Sequence, residues 1–518
     1  MAFAMPPYPD SNFSRITRTY LTSIQSEIDV PSEINISGIK DFNLLVLCVY
    51  FQDKWNNTSA KYFDSLVFND NFGTMKDWYK YESYGKFNLL KQDSIFWTIA
   101  PQLYSYYVNN DHGFGDYPNN TQKLVEDLID SVDQFIDFSK YDNDRDGVVD
   151  GLIIVHAGQG AELTRDKNDI WSHKWAVHNP LKDGVTIHDY CTTPEYWLTP
   201  NDMAIGVYCH EFGHMLGLPD LYDTDGSSNG IGRWSVMSSG SWNGVLGSSP
   251  SSFDPWCRIK LGFSHEENCY GSQSTTILPS NSDSMVTRLW ENGFLGNYYY
   301  LLENRLQKSY DTFSPSQGLL IWKIDETKPD NRQEWYPETM LPVHQNLGNY
   351  HIALVQADNS YDLERRRNIG DPYDTYPNIF QEYSEFTHRS IPNSDWYNGD
   401  LTSISIINII DLDSTIKCDI SVETNTSIAG EKNDIIDYFS DIKLYRKNNN
   451  YTIYSTNVDA KVSCEVFNIL GQTVKNLESD KNFVEWYPSK FLPRGVYFAM
   501  SRYQFRGQNF IKTFKITL

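Results

Sequence analysis

Apolar residues near the start of the chain form two unbroken runs, LLVLCVYF over Leu44–Phe51 and GLIIVHAG over Gly151–Gly158. Runs of strand length without polar alternation predict strands buried on both faces of a sheet. Between them, TQKLVEDLIDSVDQFIDF (Thr121–Phe138) repeats apolar residues every three or four positions. That spacing predicts an amphipathic helix packed on the same sheet. A further helix is expected from about Pro200 to Leu216, because Thr199 can cap it, Pro200 and Asp202 suit its first turn, and Gly217 ends it. Met203, Ile205, Val207, Phe212, Met215 and Leu216 cover most of its circumference, so it belongs inside the domain rather than on its surface.

The segment SSFDPWCRIKLGF adds a short helix, and the pattern then changes. From about Cys269 to Val422 the chain reads as short alternating segments, among them YYYLLENR, GLLIWKID, HIALVQA and SISIINI, which predict a β-rich half. Thr424–Asp434 has linker composition. Beyond it, IKLYRKNNNYTIYST, VSCEVFNILGQTVKNL, GVYFAMSRYQF and FIKTFKITL give strands with Asn or Gly turns, the pattern of a small β-sandwich. Residues 434–518 carry twelve Lys or Arg against eight Asp or Glu, whereas the whole chain has a net charge of −24; the reversal marks a separate module. Residues 1 to about 35 are polar with weak periodicity and predict an N-terminal arm or the end of a propeptide.

The buried helix also carries chemistry. His210 and His214, four residues apart, lie on one helical face, where their ring nitrogens can converge on one ion. Glu211 then stands beside the metal rather than on it. Gly217 can leave the helix through a left-handed backbone conformation, letting Asp220 approach as third ligand while a fourth position stays open for water. A buried pair of imidazoles needs a partner, and zinc supplies one. The arrangement implies peptide-bond hydrolysis: zinc lowers the pKa of water toward about 7 and polarises the scissile carbonyl, and Glu211 serves as general base and then proton donor. Two rival readings use the same residues. One is a catalytically silent adhesin or carbohydrate-binding surface protein, suggested by 15% aromatic residues. The other is a zinc amidase or deacylase acting on small molecules, since the same water chemistry serves any carbonyl.

A chain of 518 residues is expected to form two to four domains. Its acidity disfavours nucleic acid or anionic membrane as a partner, and no run of about eighteen apolar residues predicts a membrane span. The seven cysteines, Cys48, Cys191, Cys209, Cys257, Cys269, Cys418 and Cys464, lack C-x-x-C spacing, which argues against a thiolate zinc site and leaves room for one or two disulfides. The opening MAFAMPPYPDSNFSR has no basic region followed by an apolar one, so a signal peptide is absent from this sequence.

A second constellation, YDNDRDGVVDG, places Asp142, Asp144, Asp146 and Asp150 at alternating positions around Gly147, as a tight loop would to point hard oxygens at calcium. Val148 is counted with them. The twelfth loop position is Ile153 rather than a bidentate Glu, and a strand follows, so this is not an EF-hand. A structural calcium would neutralise the carboxylates at the entry to the second buried strand. Asp223 with Asp225, and Asp371 with Asp374, are lesser candidates. His156, Glu162 and His173 are candidates to line the cleft.

With HEFGHMLGLPD followed by IGRWSVMSSGSW, the chain resembles the metzincin clan, in which a tight turn bearing a methionine lies under the metal; Met237 takes that place. Within the clan it looks like the M6 family, the immune inhibitor A type of secreted bacterial metallopeptidase. The likeness continues through YESYGKFNL, GLIIVHAGQGAE, IWSHKW, LLENR and GLLIWKIDE, over about residues 40 to 410. It implies zinc ligands His210, His214 and Asp220, catalytic Glu211 and a calcium-stabilised fold. Aspartate replaces the third histidine of better-known members, and Ser239 stands where some have a tyrosine ligand, so the oxyanion donor is unassigned. The terminal module resembles the C-terminal sorting domains of the type IX secretion system of Bacteroidetes, through VFNILGQTVKNL, LPRGVYFAM and FIKTFKITL.

The expected fold is therefore an α/β (α+β) metzincin-like zinc-peptidase domain at 41–265, preceded by an arm at 1–40. A β-rich subdomain at 266–423 and an Ig-like β-sandwich at 434–518 follow. The expected protein is a secreted or cell-surface bacterial monomer acting on proteins or peptides with Zn2+ and Ca2+, and its last domain is offered to secretion machinery.

Overall fold

The two apolar runs become neighbouring parallel strands in a six-stranded mixed sheet. In a computed structural model, residues 3–9, 36 and 38–422 are described, apart from 179, 292, 294, 338–347, 378–383 and 398, together with most of 442–517. The sheet contains β1 (Phe3–Ala4), β2 (Leu45–Tyr50), β3 (Trp97–Ile99), β4 (Leu152–Gln159), β5 (His173–Ala176) and β6 (Asp189–Tyr196). Their order is β1-β5-β6-β4-β2-β3. Strands β2, β3, β4 and β6 are parallel, while β5 runs antiparallel to β6 and β1 antiparallel to β5.

Alternation along β2 and β4 feeds two cores, one on each face. Leu45, Leu47, Val49, Leu152 and Ile154 pack with Leu124, Val125, Leu128, Ile129 and Val132. Those partners come from helix α3 (Thr121–Val132), which follows α1 (Ala60–Phe68) and α2 (Met75–Glu82). Val46, Cys48, Ile153 and Val155 pack on the other face with Tyr208, Cys209 and Phe212 of helix α4 (Ile205–Met215). Each fully buried aliphatic side chain contributes about 1.5–3 kcal/mol, so α4 is held by the sheet rather than by its own helical propensity.

Three expectations are corrected by local geometry. Helix α3 ends at Val132, six residues early, because the Asp137 carboxylate accepts from the Ser139 amide and starts a separate 3-10 turn at Phe138–Tyr141. Helix α4 starts at Ile205 rather than Pro200. The Asp202 carboxylate instead accepts from the amides of Trp197, Leu198 and Thr199 at 2.7–2.9 Å, and Asn201 has φ +68°, which no right-handed helix accommodates. Third, the expected arm is not wholly an appendage: Phe3–Ala4 forms β1, and Ala4 and Met5 are buried. Residues 10–35 of the arm and the linker Thr424–Asp434 lie outside the described residues.

Past α5 (Pro255–Lys260), which Asp254 caps through the Cys257 amide, comes a five-stranded sheet built on YYYLLENR and GLLIWKID. The two segments pair antiparallel with Tyr300 opposite Lys323. Leu320, Trp322 and Ile324 face the core beneath α4, whereas Leu319 and Ile321 face a three-stranded sheet formed by Gly271–Ile277, Ile404–Asp411 and Ile416–Val422. The peptidase-like and β-rich regions thus share a core, and Met1–Thr424 forms one unit with Asn425–Leu518 as the other. The second unit has sheets of three and four antiparallel strands whose core includes Ile453, Trp486, Val462, Val466 and Ala499. All seven cysteines are buried and unbridged, so the disulfides allowed for do not form. Among the described residues no helix is long and apolar enough to cross a membrane.

Glu82, at the end of α2, is fully buried and accepts from the Phe253 amide at 3.0 Å. Burial pushes its pKa up to about 7, against the pull of the nearby Arg258 guanidinium. Its ordinary value is 4.5, so its contribution to stability is complete below about pH 4.5 and is lost as pH rises through about 7. Glu82→Gln should therefore flatten the fall in thermal midpoint between pH 5 and pH 8. A calorimetric pH series with unchanged slope would contradict this.

Candidate metal centre

The sequence of α4 places His210 and His214 on one face, and the turn after it brings Asp220 back to them. Gly217 has φ +88°, and the amides of Gly217 and Leu218 bond to the carbonyls of His214 and Gly213, reversing the chain immediately after the helix. The result is a triangle of ligand atoms. His210 Nε2 lies 3.1 Å from His214 Nε2, and Asp220 Oδ1 lies 3.3 Å from the first and 3.1 Å from the second. Ligand atoms about 2.0–2.1 Å from one tetrahedral zinc stand about 3.3–3.4 Å apart. The three side chains therefore fit that ion.

Each imidazole is oriented by its other nitrogen. His210 Nδ1 bonds to the Val236 carbonyl and His214 Nδ1 to the Leu218 carbonyl, both at 2.8 Å, leaving the Nε2 atoms directed at the centre. Val236 immediately precedes Met237, which is fully buried under the helix. A Cβ on Gly213 would lie 2.6 Å from Met237 Sδ, so the thioether packs directly on helix backbone. The Leu221 amide bonds to the Met237 carbonyl at 2.8 Å and ties the Asp220 segment to the same turn. Ser239, two residues on, opens the short 3-10 turn Ser239–Trp242.

Glu211 is fully buried, and neither carboxylate oxygen has a hydrogen-bond partner among the described residues. An orphaned carboxylate beside three convergent ligand atoms is the gap that a metal with its water would fill. Burial, followed by the Asp220 and Glu162 charges, raises its pKa well above the usual carboxylate range. A divalent cation would favour the ionised form.

The lesser candidates separate. Glu162 borders the site and accepts from Ser172 Oγ at 2.6 Å, and burial raises its pKa to about 7. His173 contacts the Trp171 carbonyl, Thr121 Oγ1 and the Tyr190 hydroxyl at 2.7–3.1 Å, and His156 contacts the Ala157 carbonyl at 3.2 Å. Neither histidine joins the ligand triangle. A residue the sequence reading passed over does border it: Tyr222, whose ring centroid is 6.3 Å from that of His210 and whose hydroxyl donates to the Ala4 carbonyl. Nothing in its spacing after Asp220 announced that position.

In the acidic loop, carboxylate oxygens of Asp142, Asp144 and Asp146 lie within 4.8 Å of one another. Burial and the charges of Asp144 and Asp142 raise the pKa of Asp146. Asp150, outside that group of three, accepts from the Asn143 amide through Oδ2, and burial raises its pKa to about 7. The Val148 amide donates to Asp146 Oδ1 at 2.8 Å. Three hard oxygens on so short a loop suit a divalent cation. Of the other acidic pairs, Asp223 accepts from Ser227 and Ser228, and the Asp225 carboxylate accepts from the Ser227 amide. Asp371 groups with Asp358 and Asp362, whereas Asp374 turns inward to Trp234 Nε1 at 3.0 Å.

Residues 49–262 match the family described as "Immune inhibitor A peptidase M6, catalytic domain", so the chain carries a peptidase M6 family domain. It is 31% identical over 268 residues to "Immune inhibitor A" of Bacillus thuringiensis subsp. alesti, a match covering 42% of this chain and 39% of the relative. Over 241 residues it is 32% identical to "Pre-pro-metalloprotease PrtV" of Vibrio cholerae serotype O1 (strain M66-2), covering 39% of this chain and 26% of the relative. The matched region thus spans well under half the length of either relative. A metallopeptidase family implies a bound metal.

Proposed function

We propose that the chain is a secreted zinc-dependent endopeptidase that hydrolyses peptide bonds in proteins. The observation that carries this reading is the 3.1–3.3 Å triangle of His210, His214 and Asp220 beside the unpartnered Glu211 carboxylate. These three side chains would hold Zn2+, which when bound would lower the pKa of water toward about 7 and polarise a substrate carbonyl. Glu211 would receive the water's proton and return it to the departing amine. Val236 and Leu218 keep the imidazoles oriented through their carbonyls, and the buried Met237 supports them from below. Tyr222 is well placed to donate to the carbonyl oxygen under attack. The test is zinc content measured beside casein cleavage. Activity should fall with chelation and return with stoichiometric zinc, and casein cleavage by metal-free protein would refute the reading.

The domain would keep a metzincin-type arrangement, with Asp142, Asp144, Asp146, Val148 and Asp150 forming a structural calcium loop. At about 100 times its dissociation constant, calcium should stabilise the domain by about 2.7 kcal/mol. Asp144→Asn combined with Asp146→Asn should abolish that gain. Thermal midpoints at fixed zinc, with calcium or a calcium-selective chelator, provide the check; equal midpoints in the unaltered protein would count against the site. The C-terminal unit would be an Ig-like sorting domain for a secretion system. One matched relative is named "Pre-pro-metalloprotease PrtV" and the matched family is described as a peptidase, which supports a protease with protein substrates.

A further inference from the structure

The β-rich region carries a pocket of its own, and neither Glu211 nor any of the three candidate metal ligands lines it. Its space, open mouth included, is about 540 Å³, within the range of about 300–1,000 Å³ usual for small-molecule sites. Its walls are aromatic. Tyr361, Trp335, Tyr397 and Trp396 follow one another with ring centroids 5.8, 5.3 and 5.3 Å apart. Tyr361 has φ +53°, a left-handed conformation that a bulky side chain adopts only where its surroundings hold it. Gln356 holds this one: its carbonyl accepts from the Asn359 amide at 2.9 Å, and its Oε1 from the Asp362 amide at 2.6 Å. Backbone strain of this kind concentrates at ligand sites.

Polar groups are few and fixed. Gln356 and Glu364, 4% and 6% exposed, bond to each other through Nε2 and Oε2 at 2.7 Å. Lys323 reaches the pocket from the strand Gly318–Asp325 and is itself buried. Its Nζ donates to the Asp395 carbonyl at 2.8 Å and lies 3.9 Å from the ring centre of Tyr397 and 4.6 Å from that of Trp396. This arrangement selects by charge. A cationic ligand would seek ring faces, but two of the four rings already face the Lys323 ammonium. An anionic ligand would meet the Glu364 and Asp395 carboxyls of the lining, while Glu291 and Asp325 add to the negative charge around Lys323. Burial also brings Lys323 down to about 7 and Glu364 up to about 7, so each is partly uncharged near neutral pH.

The ligand left by these exclusions is neutral, with an apolar face and several hydroxyls. A pyranose ring has both: its axial C–H groups lie against the negative face of an aromatic ring, and its hydroxyls donate and accept, as side-chain amides do. We propose that this pocket binds a neutral pyranose residue of a glycan, with Trp335 and Tyr361 as the stacking rings and Gln356, Asn359 and Glu364 as the hydrogen-bonding groups. The site is separate from the metal centre and does not depend on the peptidase reading.

The test is a ligand-observed NMR titration of the zinc-loaded full chain with the methyl glycosides of glucose, galactose, mannose and N-acetylglucosamine. Glucosamine and glucuronic acid serve as charged counterparts. At least one neutral glycoside should bind, and Trp335→Ala and Tyr361→Ala should each weaken it by at least about fivefold. Trp335→Phe, which keeps a ring, should lose less, and Glu211→Ala should bind as the unaltered protein does. A readout that needs no substitution is hydrogen exchange: the bound glycoside should slow the amides of residues 353–364 and leave those of α4 unchanged. Absence of binding by all four neutral glycosides overturns the proposal, as does binding that survives both alanine variants. Tighter binding of glucosamine or glucuronic acid than of methyl glucoside overturns the neutral class. Protection at α4 in place of residues 353–364 would put the sugar at the metal centre and overturn the separate site.

Discussion

Glu211→Ala should reduce kcat/KM for casein by about 10²–10⁴ while the protein still binds zinc at its original stoichiometry. That range is the usual contribution of a positioned general base. Glu211 is separated in role from the ligands by its place on the helix: one residue from His210, it leaves the ligand triangle to His210, His214 and Asp220. Both its oxygens lack partners, so its removal breaks no hydrogen bond within the described residues. Taking a carboxylate whose charged form is disfavoured by burial out of the core should, if anything, leave the domain slightly more stable. Loss of activity with retained metal and an equal or higher thermal midpoint would locate the defect in proton transfer. Near-original cleavage would remove Glu211 from the mechanism, and loss of zinc would make it a ligand or a structural support.

How much of this was legible beforehand follows from the range of each interaction. The two central strands and the ligand helix could be read because burial on both faces writes itself into unbroken apolar runs. The ligand spacing depends only on helical geometry and one glycine turn. Helix ends were misread where a single carboxylate changed partners: Asp202 closes a turn on residues 197–199 instead of starting α4. The docking of residues 3–8 was illegible because two residues of pairing with β5 leave no periodic trace, and the groups that hold them come from positions 162 to 242. Tyr222 is hidden for the same reason, since its partner is Ala4.

Glu303 shows the converse, a segment whose family likeness was visible but whose purpose was not. Its carboxylate lies between Arg258 of α5 and Arg305, all three nearly without exposed surface. Arg305 Nη2 reaches both oxygens at 2.9 and 3.0 Å, Arg258 pairs with Oε1, and Trp322 Nε1 donates to Oε2 at 3.1 Å. Burial would raise the Glu303 pKa, but the two guanidiniums outweigh it and hold the group below its ordinary range. Glu303→Ala would leave two buried guanidiniums facing a void, with Asp311, 3.7 Å from Arg305, as partial compensation. Breaking such a pair costs about 3–5 kcal/mol. The loss should reach the metal, because Arg305 also donates to the Trp234 and Phe253 carbonyls and so braces the turn that carries Val236, the acceptor for His210. Outer partners of this kind are worth about 10–100-fold in metal affinity. Glu303→Ala should therefore lower both the thermal midpoint and zinc affinity, the latter read by competition with a chelator, although Glu303 contacts none of the ligands. A variant within about 1 kcal/mol of the original protein, a surface-like effect, would show that the arginines find other partners and that LLENR is no brace. A variant that is destabilised yet binds zinc normally would limit the brace to the fold and leave the orientation of His210 to its own turn.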